Sequence, residues 1–513
     1  MIVEISSVRE SVITRTDIFV NEDDRSMIVV KCSQDNFIYD VHSLVKAFYP
    51  GEDVKVFSED KEDLKSDEHF PYLEIEYLAD MSRISVYEDD KLLIEKTSDK
   101  AVIEDRPEYK NNLKKALYSC LCEHTGRRLP WGTLTGIRPT KIAVTMIEHG
   151  ADDAEIEEYY KDIYLTSKTK ADLAIDIAHR EIEILSHIHY DKGYSLYIGI
   201  PFCPTTCLYC SFTSFPRKAY EKQIHQYIGC LKKEIDYVAE AFREKVLDSV
   251  YIGGGTPTTL TADELKDLIS YLKDRIDLVN TREFTVEAGR ADSITEEKLI
   301  VLKEMGVTRI SVNPQTFRQE TLDLIGRRHT VEQVYDAYRL ARDVGFDNIN
   351  MDLIVGLPGE TYEDVYETMM KVKELDPDSV TVHSLAIKRA SRLNQWIEDH
   401  GISMIKNNDD IMNMTGEVTG SMGLNPYYLY RQKNMSGNFE NVGYAREGKE
   451  GIYNILIMEE KQSIVALGAG TVTKRVFHEG DNYRMERCDN VKDVGLYIDK
   501  IDEMIERKRQ LFK

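Results

Sequence analysis

The stretch Ser195-Leu-Tyr-Ile-Gly-Ile-Pro-Phe-Cys-Pro-Thr-Thr-Cys-Leu-Tyr-Cys210 joins a strand pattern to a cysteine loop. Its first six residues form an apolar run of strand length, and the prolines that follow favour a shaped, exposed loop. The spacing C-x3-C-x2-C places the thiols of Cys203, Cys207 and Cys210 within reach of three irons of a [4Fe–4S] cluster. The fourth iron would then have no local protein ligand, which leaves it open to bind and activate a small molecule.

Two other interpretations of this loop are possible. A zinc ion needs a fourth cysteine or histidine at ligand spacing, and the next candidates, His225 and Cys230, fall in a predicted helix. Free cysteines are also often buried for structural reasons. Pro201 and Pro204 around the first cysteine favour an exposed loop over a core segment. We therefore predict an iron–sulfur cluster.

From residue 194 the chain alternates apolar strands with helical segments in six β-then-α units. The predicted strands are Ser195–Ile200, Val250–Ile252, Glu283–Glu287, Arg309–Val312, Asn348–Ile354 and Ser379–His383. Right-handed crossovers would curl such a parallel sheet into a partial (β/α)6 barrel of the α/β class. The active site of a barrel of this kind lies at the C-terminal ends of its strands.

The remaining segments differ from this core in their patterning. Residues 1–105 alternate with a two-residue period and predict an N-terminal α+β module, whereas residues 106–192 are mostly helical and predict a linker region. Within the linker we interpret Trp131–Lys141 as a connector. The core then spans 193–390, and 391–513 is predicted to be a C-terminal cap domain that covers the substrate.

The composition narrows the class of protein. A formal net charge of −24 disfavours nonspecific binding to nucleic acid or to membrane surfaces, so we expect no nucleic-acid partner. No apolar run is long enough to span a membrane, and the first residues do not form a secretion signal. Five of the eight cysteines are scattered, which is unlike a disulfide framework. These features predict a cytoplasmic protein.

Polar or glycine-rich residues follow nearly every predicted strand. The second strand leads into Gly253-Gly-Gly-Thr-Pro-Thr258, where glycines allow a ligand to approach the backbone closely. The third strand ends at Glu287, and the fifth carries Asp352; both carboxylates are suited to bind ammonium or ribose hydroxyl groups. Arg327 follows the fourth strand and is suited to pair with a carboxylate. Together they predict a zwitterionic nucleoside ligand beside the cluster.

The motifs Tyr197–Cys203, Gly253–Thr258, Ser311–Phe317 and Met351–Gly359 together resemble those of the radical SAM superfamily. Within it, the chain is similar to the oxygen-independent coproporphyrinogen III oxidase (dehydrogenase) family. The resemblance covers about residues 195–390. The additional N-terminal portion and the segment His383–Arg389 resemble the longer, HemZ-type branch.

The resemblance implies a [4Fe–4S] cluster held by the three loop cysteines and S-adenosylmethionine bound at its open iron. It also implies that Tyr197 packs near the cluster. The residues that the motif match assigns to the S-adenosylmethionine site are Gly254, Gly255, Thr256, Glu287, Gln315, Arg327 and Asp352. In the family reaction, one-electron cleavage of the cofactor gives a 5′-deoxyadenosyl radical that takes hydrogen from a propionate. Carbon dioxide then leaves and a vinyl group forms, and two rounds give protoporphyrinogen IX.

Two positions depart from the family pattern. Phe212 stands where the family's oxidases usually carry a fourth cysteine, and Gly199 stands where they usually carry histidine. Three cysteines are enough for the cluster. Relatives with phenylalanine at the first position include haem-handling proteins, so the substrate is the less determined part of the prediction.

The leading hypothesis is therefore an enzyme that decarboxylates coproporphyrinogen III and takes electrons from a donor that the sequence does not identify. Its anionic tetrapyrrole would need local positive charge, for which the candidates are Lys388–Arg392, Arg217-Lys218 and Tyr430–Lys433. One alternative is a haem chaperone, with an axial ligand among His329, His383 and Tyr427–Tyr430. Another radical reaction on a tetrapyrrole is a further alternative.

Overall fold

The structure is a computed structural model that describes residues 27–49, 52–58, 70–136, 138–388, 391–431, 439–479 and 482–513. The chain divides into two compact units, Met1–His124 and Thr125–Lys513. Among the described residues, no helix is long and apolar enough to cross a membrane.

The described residues of the first unit form a mixed sheet and two helices. Its elements are β1 (Met27–Cys32), α1 (Ile38–Phe48), β2 (Asp53–Ser58), β3 (Tyr72–Tyr77), β4 (Ser82–Glu88), β5 (Lys91–Thr97) and α2 (Arg106–Thr125). The described strands lie in the order β2-β1-β3-β4-β5, with β1 parallel to both of its neighbours and the others antiparallel. Apolar residues of β1, β3, β4, α1 and α2 are buried in this unit. Helix α2, which is the first helix of the predicted linker and is 20 residues long, lies almost wholly in this unit.

The second unit contains the remaining elements. Its helices are α3 (Thr140–Glu148), α4 (Asp153–Tyr164), α5 (Lys168–Leu185), α6 (Arg217–Tyr220), α7 (Ile224–Ala241), α8 (Ala262–Arg275), α9 (Glu296–Glu304), α10 (Gln319–Leu324), α11 (Val331–Asp343), α12 (Tyr362–Leu375), α13 (Leu393–His400), α14 (Asp409–Ser421), α15 (Ile452–Glu459), α16 (Val494–Asp499) and α17 (Ile501–Leu511). Its strands are β6 (Gly193–Ile200), β7 (Phe202–Cys203), β8 (Phe215–Pro216), β9 (Val246–Gly254), β10 (Glu283–Gly289), β11 (Arg309–Val312), β12 (Ile349–Val355), β13 (Ser379–Ser384), β14 (Asn425–Tyr430), β15 (Asn441–Ala445), β16 (Ile464–Leu467), β17 (Val472–Glu479) and β18 (Asn482–Asp489).

The six predicted barrel strands form one parallel array. They are neighbours in the order β13-β12-β11-β10-β9-β6, each pair is parallel, and helices connect successive strands. The strands are buried over almost their whole length, as expected for a parallel sheet covered by helices. The predicted α/β fold with six β-then-α units is confirmed.

Threonines fix the starts of three outer helices. Thr261, Thr330 and Thr361 precede α8, α11 and α12, and each hydroxyl accepts a hydrogen bond from the backbone N–H three residues later. The acidic or amide side chain at that later position returns a contact to the backbone of the threonine. Such capping boxes satisfy otherwise unpaired N–H groups and set where each helix begins. The helices therefore start directly after the loops that leave the barrel mouth.

The C-terminal region extends both edges of the barrel sheet. On one edge β15 runs antiparallel to β13 and pairs with β14; on the other, β16 runs parallel to β6 and leads into β17 and β18. An open barrel leaves unpaired N–H and C=O groups on its edge strands, and these strands pair with them. The described strands of this region thus belong to the barrel sheet, and a substrate-covering role for residues 391–513 stays a prediction.

Candidate functional site

The C-terminal ends of the parallel strands bring the cysteine loop and the glycine loop together. In the register of β6 and β9, Gly199 lies opposite Gly253 and Ile200 opposite Gly254. The backbone N–H of Gly255 donates to the carbonyl of Ile200 at 2.9 Å, and the next N–H donates to the carbonyl of Phe202 at 2.7 Å. Backbone hydrogen bonds alone therefore connect the two loops.

The glycine loop has no room for a side chain at its centre. A Cβ on Gly255 would lie 2.7 Å from the carbonyl oxygen of Phe202 and 3.0 Å from Cys203 Sγ. Gly254 has φ +109°, a conformation that other residues rarely adopt. Glycine is required here because the backbone passes close to the first cysteine.

Hydrogen bonds from neighbouring strand ends hold the cysteine loop. The short strands β7 and β8 pair and close its base. Leu208 N–H donates to the carbonyl of Ile325 at 2.9 Å, and Thr205 Oγ1 donates to the carbonyl of Gly326 at 2.9 Å. The buried guanidinium of Arg290 donates to Thr205 Oγ1 at 2.7 Å. The loop is thus positioned by residues from two other βα units.

The three predicted cluster ligands are half-buried free thiols on this loop. Burial raises the pKa of Cys203 to about 11, although the Thr256 hydroxyl, 3.5 Å from its sulfur, acts in the opposite direction. Burial also raises the pKa of Cys210. Within the described ranges, no three His, Cys, Asp or Glu side chains are grouped as around one metal ion. A [4Fe–4S] cluster does not require such convergence, since each thiolate binds a different iron.

Glu287 and a set of tyrosines line the inside of the barrel. Tyr251 OH donates to Glu287 Oε1 at 2.6 Å, and burial raises the pKa of Glu287 to about 7. The Tyr197 ring stacks on those of Tyr251 and Tyr453, with centroids 6.1 and 5.8 Å apart. The sequence analysis predicted Tyr197 but missed the other two rings. Tyr453 comes from α15, whose place in the barrel has no local sequence signal.

Gln315 and Asp352 come from neighbouring strand ends and are joined by their backbones. Gln315 N–H donates to the carbonyl of Asp352 at 3.0 Å, and Gln315 itself has φ +69°. Its side-chain Oε1 is buried and has no hydrogen-bond partner among the described residues. Burial would raise the pKa of Asp352, but His383, whose Nε2 lies 3.9 Å from Asp352 Oδ1, and Asn350 together hold it below its ordinary value.

Arg327 is buried and contacts loop backbone. Its guanidinium donates to Tyr209 OH at 3.3 Å, to the carbonyl of Gly289 at 3.3 Å and to the carbonyl of Asn313. Its Nε has no hydrogen-bond partner among the described residues. The side chain thus connects the cysteine loop to two other strand ends, an arrangement that the sequence analysis did not foresee.

The candidate haem ligands differ in accessibility. His329 is fully buried, with neither ring nitrogen hydrogen-bonded to a described residue, and burial lowers its pKa to about 4. Tyr427 and Tyr428 are also buried. His383 is half-buried, and its Nδ1 lies 3.5 Å from Tyr430 OH. Of these candidates, only His383 and Tyr430 have partly exposed side chains.

The basic residues that the sequence analysis proposed for an anionic tetrapyrrole also differ in their surroundings. Arg217 is paired with Glu264 at 3.0 Å, and Arg431 is buried and donates to the carbonyl of Leu134. Arg389, Ala390, Gln432 and Lys433 lie outside the described residues. Lys388 and Arg392 both lie against the cysteine loop: Lys388 Nζ is 5.5 Å from the centroid of Phe212, and Arg392 donates to the carbonyl of Thr206 at 2.5 Å.

Comparison with known proteins agrees with this arrangement. The family model of the radical SAM superfamily matches residues 197–372. The chain is 39% identical over 413 residues to the oxygen-independent coproporphyrinogen-III oxidase-like protein HemZ of Bacillus subtilis. This alignment covers 79% of the present chain and 82% of the relative. It is 33% identical over 279 residues to the haem chaperone HemW of Lactococcus lactis, over 54% of this chain and 69% of that protein.

A solved structure is also similar. Coproporphyrinogen III oxidase (HemN) from Escherichia coli, described as a radical SAM enzyme, aligns with a TM-score of 0.49 and 22% sequence identity. The alignment covers 63% of this chain and 72% of that one.

Proposed function

We propose that this chain oxidises coproporphyrinogen III without oxygen. The premise is that the chain belongs to the radical SAM superfamily and, within it, to the HemZ-type coproporphyrinogen III oxidase-like proteins. The reaction converts two propionate side chains to vinyl groups with loss of carbon dioxide. The observation that carries the proposal is the set of strand ends around the three thiols of Cys203, Cys207 and Cys210. Half-buried Lys388 beside that loop supplies positive charge for an anionic substrate.

Members of the superfamily use a [4Fe–4S] cluster and S-adenosylmethionine, and the residues present fit both. The three thiols are free, and the glycine loop presents backbone close to Cys203. The buried Oε1 of Gln315 needs a hydrogen-bond donor, as buried polar atoms do. We assign the thiols to the cluster and the set Gly254, Gly255, Thr256, Glu287, Gln315, Arg327 and Asp352 to S-adenosylmethionine. When bound, the two groups supply a carbon radical that removes hydrogen from the substrate.

The protein's own residues orient these groups and keep water away. Glu287, with its pKa near 7, is held by Tyr251 and presents a carboxyl group to the barrel interior. Asp352 stays ionised beside His383 and Asn350, because these neighbours lower its pKa. The stacked rings of Tyr197, Tyr251 and Tyr453 form an apolar wall. A low-dielectric site of this kind strengthens the contacts that position the substrate.

The proposal includes an external one-electron donor that reduces the cluster, an external one-electron acceptor that takes the electron released from the substrate radical as carbon dioxide leaves, and a reducing location. All eight cysteines lie within the described ranges, and all eight are free thiols. Free thiols and an iron–sulfur site suit the cytoplasm, where disulfides rarely persist.

A second candidate function is haem delivery. His383 favours it, because this side chain is partly exposed and, among the described residues, its Nδ1 makes one long contact, with Tyr430 OH. A neutral imidazole can ligate haem iron. The similarity to HemW, whose name describes a haem chaperone, is consistent with this candidate.

The experiment that tests the proposal uses the full chain, reconstituted with iron and sulfide under anaerobic conditions. S-adenosylmethionine, a reductant and coproporphyrinogen III are added, and 5′-deoxyadenosine, carbon dioxide and the divinyl product are measured. We expect all three products, and none from the Cys207→Ala variant. Formation of 5′-deoxyadenosine without carbon dioxide would reject this substrate. Stoichiometric haem binding without turnover, lost in His383→Ala, would favour the second candidate.

A further inference from the structure

Phe212 is an unusually exposed aromatic residue for its place in the fold. It lies two residues after Cys210, and 69% of it is accessible. A single exposed apolar side chain is ordinary on a protein surface, so what matters here is that the ring lies beside the cysteine loop and under a cation. The ring is therefore available for contact with a ligand that approaches the cysteine loop.

Lys388 places a cation over this ring. Its Nζ lies 5.5 Å from the ring centroid, within the range of cation–π attraction. The side chain is half-buried, and no described carboxylate forms an ion pair with it. A partly desolvated ammonium group gains considerably from an anionic partner. The anionic group that acts on Lys388 among the described side chains is the thiolate of Cys210, and no described carboxylate pairs with it, so a carboxylate-bearing ligand would supply a further partner.

The segment that carries Lys388 is anchored. The carbonyl of Lys388 accepts hydrogen bonds from Ser391 N–H at 2.9 Å, Ser391 Oγ at 2.7 Å and Asn394 Nδ2 at 2.8 Å. One turn further on, Arg392 donates to the carbonyl of Thr206 in the cysteine loop at 2.5 Å. The backbone at Lys388 is thus fixed next to the loop before a ligand arrives, which lowers the entropic cost of binding.

We propose that Phe212 and Lys388 form a docking site for the tetrapyrrole substrate, in which Phe212 packs against a pyrrole ring and Lys388 pairs with a propionate. The identity of the ligand rests on the proposed function, but the chemistry of the pair is read from the residues themselves. An aromatic face next to a cation that pairs with no described carboxylate suits a ring that carries carboxylates on short arms. The site lies at the rim of the cysteine loop, so it brings a propionate arm close to the place where hydrogen removal occurs.

Binding of coproporphyrin III, the stable oxidised form of the substrate, tests the site without turnover. The probe is titrated into the anaerobically reconstituted full chain without S-adenosylmethionine, and its fluorescence gives Kd. We expect Lys388→Met to weaken binding about tenfold to a hundredfold, as for a lost charge-assisted contact, and Phe212→Ala about tenfold. Lys388→Arg, which keeps the charge, should recover most of the affinity.

A matched control comes from a second cation–aromatic pair. Arg475 Cζ lies 4.3 Å from the centroid of Phe477 on β17, and Phe477→Ala should leave Kd unchanged. Iron content is measured for each variant. Affinities for coproporphyrin III within twofold of the wild type in both Phe212→Ala and Lys388→Met would overturn the proposal, as would loss of iron in Lys388→Met, which would assign Lys388 to the cluster.

A parallel titration with haem distinguishes the two tetrapyrroles. If the substitutions weaken haem binding alone, the site does not serve the proposed substrate and the inference fails. The outcome is also separable from that of the proposed function. A wild-type protein that binds coproporphyrin III through this pair but does not decarboxylate coproporphyrinogen III contradicts only the proposed reaction. A protein that does decarboxylate it, with both variants binding normally, contradicts only the docking site.

Discussion

Two buried polar clusters of the second unit differ in how completely their atoms are paired. In the first, Glu234 of α7 is fully buried, and each of its carboxylate oxygens accepts two hydrogen bonds. Its donors are Gly468 N–H and Tyr497 OH on one oxygen, and Asn490 Nδ2 and Lys508 Nζ on the other. This cluster joins α16, α17 and the loop after β16 to the barrel.

The strand-end cluster is incomplete. The described residues provide no hydrogen-bond partner for Gln315 Oε1, Arg327 Nε or either ring nitrogen of His329. Glu287 has a pKa near 7, far above its ordinary value, because of its burial. Buried polar atoms are normally paired, and perturbed pKa values concentrate at functional sites. The comparison indicates that the first cluster stabilises the fold, whereas the second keeps groups available for ligands.

The largest expected effect is on the complete cluster. Lys508→Met leaves the carboxylate of Glu234 buried without its cation, so we expect the free energy of unfolding to fall by about 3–5 kcal/mol. Urea denaturation of the wild type and the variant measures it. Lys508→Met combined with Glu234→Gln should recover part of the loss, because no buried charge remains. A loss below about 1 kcal/mol would contradict the view of this pair as a buried ion pair.

The second effect concerns pH and Glu287. Its ordinary pKa of 4.5 rises to about 7 in the folded chain, so its contribution to stability is fully present below pH 4.5 and is lost as the pH rises through 7. Glu287→Gln removes this dependence. In the absence of S-adenosylmethionine, we expect the free energy of unfolding of the variant, relative to that of the wild type, to rise by about 1–3 kcal/mol from pH 5 to pH 8. Urea midpoints across this range measure the gain, and parallel curves would refute the raised pKa.

The smallest effect on stability is expected at Gln315. No described residue is hydrogen-bonded to its Oε1, so Gln315→Leu should change the free energy of unfolding by less than about 1 kcal/mol. If this atom accepts a hydrogen bond from S-adenosylmethionine, the same change should weaken cofactor binding about tenfold. Equilibrium dialysis of the reconstituted protein gives Kd. If Gln315→Leu is destabilised but binds S-adenosylmethionine with unchanged affinity, Gln315 stabilises the fold and is not kept available for the cofactor, which would contradict the contrast between the two clusters.

The local sequence predicted the barrel strands well. Arg309–Val312 has the predicted bounds, and the predicted Ser195–Ile200 and Ser379–His383 differ from the observed strands by at most two residues at either end. The signals were runs of β-branched and aromatic residues that end at glycine, proline or polar residues, and parallel pairing follows from the alternation with helices. The same logic placed the cysteine and glycine loops at one edge of the sheet.

The remaining features depend on pairings between distant segments, which carry no local signal. Strand β16 is not among the strands that the sequence predicted, yet it extends the parallel array beside β6. Trp131 was assigned to a connector, but its indole N–H donates to the buried carboxylate of Glu440 at 2.7 Å. Lys388 and Phe212 are 176 positions apart in the sequence. Tertiary packing decides which strand pairs with a sheet edge and which side chain pairs with a charged group.

The central prediction is that the cysteine loop would hold a [4Fe–4S] cluster with one iron open to S-adenosylmethionine. The most direct measurement is electron paramagnetic resonance of the reduced, reconstituted protein with and without S-adenosylmethionine, together with iron analysis. We expect about four irons per chain and a spectrum that S-adenosylmethionine shifts. Cys203→Ala should lose both properties, whereas Cys230→Ala, at a free cysteine on α7, should keep both. Four irons that Cys203→Ala retains, or a spectrum that does not respond to S-adenosylmethionine, would contradict the claim.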